Sequence, residues 1–241
     1  MTDLHTTTIP ARFRGPTESG NGGYSAGVLG ALIGDAAQVS LRIPPPLDRT
    51  LDVTEHEGEW QLLDGHTLVA AGRALAGPLL LDVPAPPSLD QLEDAESRYS
   101  GHHAHPYPEC FVCGPQREPG DGLRLFTGQV DGRRVVASHW TPEADVAGHG
   151  DPTTVDRRIV WAALDCPSYF GGQLAGYPEQ AVLGTIAAEI LAPVPIGETY
   201  TVIGWPIDED GRKWHGGAAI YNAAGTLLAF SKGTWVDISG K

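Results

Sequence analysis

The sequence predicts an α+β fold built from two similar units, each an antiparallel sheet wrapped around one helix. The first observation is an internal repeat: residues 39–53 align without a gap on residues 188–202, and residues 66–70 align on residues 225–229. Second, each half contains one segment of helical apolar spacing and several short segments typical of strands. Third, a chain of 241 residues is long enough for two units of about 120 residues each.

The first unit is predicted to cover residues 1–76. Apolar residues in 24–33 repeat with helical spacing, and Gly34 follows as a C-cap. Prolines 44–46 and the turn Asp64-Gly65 separate segments rich in Val and Leu. The predicted strands of this unit are residues 37–43, 50–56, 59–63 and 67–74. Residues 77–108, rich in proline and charge, form a connecting segment with a short helix at 89–99.

The second unit is predicted to cover residues 109–241. Its helix starts near Pro152, because Thr153 and Asp156 have capping-box spacing, and Pro167 bends or ends it. The predicted strands of this unit are residues 123–127, 134–140, 181–191, 198–207, 214–222 and 226–237.

Composition excludes several classes of partner. A formal net charge of −14 repels phosphate backbones and anionic lipid surfaces, so we expect no nucleic-acid partner and no membrane association. The chain has no apolar run of about eighteen residues and no signal-like pattern near Met1. Three cysteines, an odd number, suit a reducing compartment. We therefore expect a cytoplasmic protein.

Two short segments carry the most specific motifs of the chain. Residues 110–125, beginning Cys-Phe-Val-Cys-Gly and ending Gly-Leu-Arg-Leu, are similar to an entry segment common in small hotdog thioesterases. Trp161-Ala-Ala-Leu-Asp165 resembles the acidic end of their helix, where an acid follows a His-Gly-Gly start by nine positions. The chain thus resembles the hotdog-fold acyl-CoA thioesterases, and the resemblance implies a double hotdog: two antiparallel sheets, each wrapping a central helix, packed side by side as a pseudo-dimer.

Each half departs from the family pattern in a complementary way. Nine positions before Asp165 lies Asp156 instead of His, so the second helix lacks the His-Gly-Gly start. In the first half, residues 21–23 (Asn-Gly-Gly) resemble that start, but nine positions after Asn21 lies Gly30. Because paired hotdog units combine one helix start with the acid of the opposite helix, we expect one composite site.

The resemblance implies hydrolysis of an acyl-CoA thioester to a free acid and coenzyme A. Asp165 would be the general base or the nucleophile. Backbone N–H groups at the helix start, with Gly23 foremost, would stabilise the oxyanion. The expected substrate-binding residues are Asn21, Gly22, Tyr24, Arg157, Trp161 and Tyr169. Arg157 would neutralise a coenzyme A phosphate, and the aromatic side chains would wall the pocket. The expected assembly is a monomer or a homodimer of double-hotdog chains.

Other interpretations stay open at this stage. The chain can be a non-catalytic binder of acyl-CoA or a lipid-like ligand, and Asp165 can be a helix cap. Cys110 and Cys113 lie near His102, His103 and His105, but the spacing is poor for zinc, so we expect no metal and no cofactor. Cys166 is expected to be a small buried thiol.

Overall fold

A computed structural model describes residues 5–240, which form eleven strands and four α-helices. The strands are β1 His5–Thr8, β2 Ala36–Leu41, β3 Thr50–His56, β4 Glu59–Asp64, β5 Thr67–Ala74, β6 Gly128–Gln129, β7 Val136–Trp140, β8 Ala181–Ile190, β9 Tyr200–Asp210, β10 Lys213–Tyr221 and β11 Leu227–Asp237. The helices are α1 Gly22–Ile33, α2 Leu89–Ser97, α3 Arg157–Ala163 and α4 Cys166–Gln173. In this part of the chain no helix is long and apolar enough to cross a membrane.

All eleven strands belong to one antiparallel sheet, in the order β1-β3-β4-β5-β2-β8-β11-β10-β9-β7-β6. The order of the first five strands is mirrored by the next five, as the sequence repeat predicts. The two halves meet where β2 pairs with β8, with Ala36 opposite Glu189 and Ser40 opposite Thr185. The expectation of two separate sheets is thus corrected. Pairing satisfies the backbone N–H and C=O groups that two free edges would expose.

Most predicted elements are found within a few residues of their expected positions. Residues 123–127 are an exception: they form an irregular segment in which Leu123 and Leu125 donate backbone hydrogen bonds to Phe111 and Val112. The N-cap of α3 is Asp156, whose side chain accepts from the N–H of Arg158, so the predicted start near Pro152 is wrong. Strand β1 was not anticipated.

Helix α1 packs closely against α3 because three of its glycines face that helix. A Cβ at Gly23 would lie 2.6 Å from the carbonyl oxygen of Trp161, and one at Gly27 would lie 2.8 Å from the Cβ of Trp161. At Gly30 it would lie 2.3 Å from the Trp161 ring, which is 1% exposed. Since any side chain there would push the helices apart, these glycines fix the start of α1 beside the end of α3.

Candidate active site

Asp165 lies at a break between two helices. Helix α3 ends at Ala163, and α4 begins at Cys166 with Pro167 in its first turn. Asp165 occupies the N-cap position of α4, but its side chain makes no capping hydrogen bond. Instead the carboxyl group points to α1 and is 2% exposed. The helix-cap interpretation therefore does not explain this side chain.

Two donors at the start of α1 hold one oxygen of this carboxyl group. Asp165 Oδ2 accepts hydrogen bonds from the backbone N–H of Gly23 at 2.8 Å and from Asn21 Nδ2 at 2.9 Å. Asn21 is the N-cap of α1, and its Oδ1 accepts from the N–H of Tyr24 at 2.9 Å. Asp165 Oδ1 is buried and has no hydrogen-bond partner among residues 5–240. One carboxyl oxygen is thus fixed and the other is free to accept a proton.

The surroundings of Asp165 disfavour its charge. Burial raises the pKa of Asp165 to about 7, and the nearby Cys110 also raises it. The hydrogen bonds from Gly23 and Asn21 act in the opposite direction but do not outweigh burial. A carboxyl group with such a pKa can accept and release a proton near neutral pH.

The donors available for an oxyanion differ from the expected ones. The N–H of Gly23 is engaged by Asp165, and the N–H of Tyr24 is engaged by Asn21, so the expected role of Gly23 is corrected. Gly22, which is partly exposed, has an N–H without a partner within the described part of the chain. The ring of Tyr24 stacks on Phe13 at 4.0 Å and lies beneath Arg158 at 5.8 Å. The backbone N–H of Gly22 is therefore the donor in the first turn of α1 that can bind an oxyanion.

The remaining predicted residues are divided between the two ends of α1. Trp161 is buried between α1 and α3, and the hydroxyl of Tyr169 donates to the carbonyl of Glu179 at 2.6 Å. Arg157 bonds the carbonyl of Gly34, at the far end of α1, and forms an ion pair with Asp35 at 2.8 Å. A twelve-residue helix is about 18 Å long, so Arg157 does not lie beside Asp165.

Solved structures resemble this chain over nearly its whole length. No family model matches the chain, and no curated protein is found as a relative. A candidate thioesterase II of Thermobifida fusca has a TM-score of 0.63 at 13% identity, covering 98% of this chain and 94% of its own. A tesB protein of Mycobacterium avium subsp. paratuberculosis has a TM-score of 0.59 at 9% identity, covering 97% and 92%. A conserved protein of unknown function with a hotdog fold, from Alicyclobacillus acidocaldarius, has a TM-score of 0.57 at 12% identity, covering 97% and 92%.

The chain has the hotdog fold. Likeness at such low identity establishes the fold alone, so the resemblance seen in residues 110–125 and 161–165 is confirmed at that level. The function of this chain therefore has to be argued from the residues of its own site.

The second helix start of this hotdog chain opens onto a cavity. The cavity has a volume of about 560 Å³ and is lined by apolar residues of α1, by the start of α3 and by neighbouring loops. Asp156 and Arg158 line it and form an ion pair at 2.6 Å. Burial raises the pKa of Asp156, but the hydrogen bonds and charge of Arg158 outweigh this and lower it. Asp165 is not among the lining residues.

Three buried thiols lie beside the carboxyl group of Asp165. The sulfur atoms of Cys110, Cys113 and Cys166 all lie within 4.8 Å of one another. Asn21 Nδ2 lies 3.9 Å from the sulfur of Cys110 and 3.8 Å from that of Cys166. Hydrogen bonds from Cys113 and Cys166 lower the pKa of Cys110. Sequence reasoning missed this cluster because Cys166 is distant in sequence from the other two cysteines.

Proposed function

We propose that this chain hydrolyses acyl-CoA thioesters to a free acid and coenzyme A at the start of α1, with Asp165 as the acid–base residue. The observation that carries the proposal is the position of Asp165. It comes from the α3–α4 junction, is held by Gly23 and Asn21 at 2.8 and 2.9 Å, and keeps Oδ1 without a partner among the described residues. Asp165 caps no N–H of its own helix α4, and its contact with the first turn of α1 occupies Oδ2 and leaves Oδ1 for chemistry.

The proposed reaction starts with the thioester carbonyl at the first turn of α1. Asp165 Oδ1 takes a proton from a water molecule as that water attacks the carbonyl carbon. The N–H of Gly22 and the positive end of the α1 dipole stabilise the oxyanion that forms. When the C–S bond breaks, Asp165 returns the proton to the departing coenzyme A thiolate. Proton and electron pairs balance without any further reactant.

The substrate would approach past Leu183. A Cβ placed at Gly22 would lie 2.9 Å from Leu183 Cδ2 and 3.4 Å from Asp165 Oδ2, so the glycine leaves a narrow space beside the carboxylate. Leu183 is a flexible side chain whose end can move. In this proposal the end of Leu183 moves aside and a carbonyl group enters between Gly22 and Asp165.

The arrangement of the two units belongs to the same proposal. We treat residues 1–76 and 109–241 as two hotdog units that form a pseudo-dimer within one chain. Support comes from the mirrored strand order about β2 and β8 and from the close packing of α1 on α3. A composite site then exists without a second chain.

The test is thiol release from short, long and aromatic acyl-CoA esters by the wild type and by Asp165→Asn. We expect turnover to fall at least about a hundredfold in the variant, because about 2.7 kcal/mol of transition-state stabilisation is lost. Asn has nearly the same shape as a protonated Asp, so the fold should persist. The control is Asp90→Asn, in the exposed first turn of α2, which should keep wild-type turnover. Equal rates for wild type and Asp165→Asn would refute the assignment.

A second function, non-catalytic binding of an acyl-CoA or lipid-like ligand, is favoured by the cavity at the start of α3. Its apolar wall includes Val28 and Leu32, which would contact an acyl chain. A non-hydrolysable acyl-CoA thioether, titrated calorimetrically into the wild type and Asp165→Asn, separates the two functions. A binder shows micromolar affinity and no turnover with any ester, whereas an enzyme shows turnover that depends on Asp165.

A further inference from the structure

We propose that Cys110, Cys113 and Cys166 form a binding site for one Zn²⁺ ion, which joins the loop before β6 to the start of α4. The site lies beside Asp165, but its three sulfur ligands take no part in the proposed hydrolysis, so zinc content and turnover can be measured independently. Cys110 and Cys113 lie on one tight loop, and Cys166 is the first residue of α4.

The spacing of the sulfur atoms fits a tetrahedral metal. Zinc–sulfur bonds of about 2.3 Å place two thiolates of a tetrahedral site about 3.8 Å apart. The sulfur atoms of Cys110 and Cys166 are 3.7 Å apart, and all three lie within 4.8 Å of one another. A disulfide needs about 2.05 Å between sulfur atoms and would leave the third cysteine alone. These distances therefore fit one ion bound by all three sulfur atoms better than a disulfide between any two of them.

The surroundings favour a bound cation. The three cysteines are 3–7% exposed, and Asp165 immediately precedes Cys166. Asp165 is 2% exposed, and its Oδ1 is a buried acceptor without a partner in the described chain. Such an acceptor is costly beside thiols alone. It is satisfied if a water molecule in the fourth zinc position donates a hydrogen bond to it.

The histidine nearest in sequence is not a ligand. His105 Nδ1 accepts a hydrogen bond from the N–H of Tyr107 at 2.9 Å, so the proton of the neutral ring is on Nε2. His105 is not part of the group of mutually close ligand atoms, which consists of the three cysteine sulfurs. The metal site thus consists of three thiolates and one water, unlike the combination of Cys110, Cys113 and neighbouring histidines considered from the sequence.

When one Zn²⁺ ion binds, the three thiols lose their protons to solvent and become thiolate ligands. The site would fix the loop carrying Cys110 and Cys113 to the α3–α4 junction, where Asn21 approaches two of the sulfur atoms. A zinc ion here would therefore stabilise the folded chain.

The test is metal analysis of the full chain purified from zinc-supplemented cells without chelator. We expect about one zinc per chain in the wild type and less than about a tenth of that in Cys113→Ala and Cys166→Ala. Ser138→Ala, another buried small polar residue, is the matched control and should keep the zinc. Asp165→Asn should also keep it, so a failed hydrolysis proposal leaves this test intact.

A second measurement covers the case in which the cysteine variants do not fold. Cobalt(II) added to metal-free wild type should give the sulfur-to-metal charge-transfer and d–d absorption bands of a tetrahedral thiolate site. Wild type that holds no zinc, gives no cobalt bands and takes up neither ion would overturn the proposal. The proposal would also be overturned if mass spectrometry of the metal-free chain gave a mass two hydrogens below that of the reduced chain, because that loss shows a disulfide.

Discussion

The starts of α1 and α3 occupy equivalent places in the repeat but differ in chemistry. Asn21 caps α1 and Asp156 caps α3, and the residues nine positions later are Gly30 and Asp165. At the start of α1 a buried carboxyl group faces the first turn. The start of α3 has no such acid, and it opens onto the 560 Å³ cavity.

The packing of α1 on α3 explains why only one half carries the buried acid. A Cβ at Gly30 would lie 2.3 Å from the ring of Trp161, so a carboxyl group there is sterically excluded while the tryptophan fills the core. The first half thus has a glycine in place of an acid, and this glycine allows α1 and α3 to pack closely. The second half keeps the acid, and the break before α4 turns it towards the start of α1.

Among the substitutions that test this comparison, Gly23→Ala is expected to have the largest effect on stability and turnover. The new Cβ would lie 2.5 Å from the Cβ of Asp165 and 2.6 Å from the carbonyl oxygen of Trp161, so α1 must move away from α3. We expect a loss of about 3 kcal/mol in the free energy of unfolding, measured by urea denaturation. Turnover should fall with it, because the N–H that holds Asp165 is displaced.

Gly22→Ala is the matched control for that variant. Its Cβ meets only side-chain atoms, Leu183 Cδ2 at 2.9 Å and Leu183 Cβ at 3.1 Å, and no backbone atom of α3. We expect stability within about 0.5 kcal/mol of the wild type, with turnover lowered because the free N–H is crowded. If Gly23→Ala were as stable as Gly22→Ala, the close contact between α1 and Asp165 would be wrong.

A smaller and more selective effect is expected from removing the two helix caps. Asn21→Ala and Asp156→Ala should each lower the free energy of unfolding by about 1–2 kcal/mol, because each removes a side chain that caps a helix. Only Asn21→Ala should also lower turnover, by about tenfold, since Asp165 then loses one of two donors. The measurements are urea denaturation and thiol release. An equal fall in turnover for both variants would contradict a single active helix start.

The pH dependence distinguishes the two caps further. Burial raises the pKa of Asp156, but the hydrogen bonds and charge of Arg158 and the nearby His149 lower it below the ordinary value of 3.8. A lowered pKa contributes stability that is present above the ordinary pKa and is lost as pH falls through the folded-state pKa. The stability difference between wild type and Asp156→Ala should therefore shrink below about pH 4. An unchanged difference there would show that the charge of Asp156 adds nothing.

Local patterns in the sequence were enough to predict α1, α2 and most strands, but neither the start of α3 nor the helix α4. Helical spacing located α1, and turn residues such as Asp64-Gly65 separated β4 from β5. The resemblance to paired hotdog units also predicted that the start of α1 would meet Asp165, although the roles of these residues stay proposals. These features depend on short-range periodicity or on an internal repeat, which a sequence displays directly.

The features that were missed depend on long-range geometry. Pairing of β2 with β8 leaves no local signal, because alternation along a strand shows which side chains share a face and does not show which strand lies alongside. The engagement of the Gly23 N–H by Asp165 and the approach of Cys166 to Cys110 both follow from how α1 and α3 pack. Sequence spacing cannot show which of several backbone donors remains free.

The smallest effect on stability, with the sharpest consequence for function, is expected from Leu32→Trp. Leu32 lines the cavity at the start of α3 and is 46% exposed, so the larger ring fills the cavity at a cost below about 0.5 kcal/mol. Leu80→Trp, at a residue that is 87% exposed and outside the lining, is the matched control. If hydrolysis occurs at the start of α1, both variants should keep turnover and KM within about twofold of the wild type. If the cavity is the ligand site, Leu32→Trp alone should weaken binding of the acyl-CoA thioether at least about tenfold, or about 1.4 kcal/mol. The second outcome would reverse the comparison and make the start of α3 the functional end of the chain.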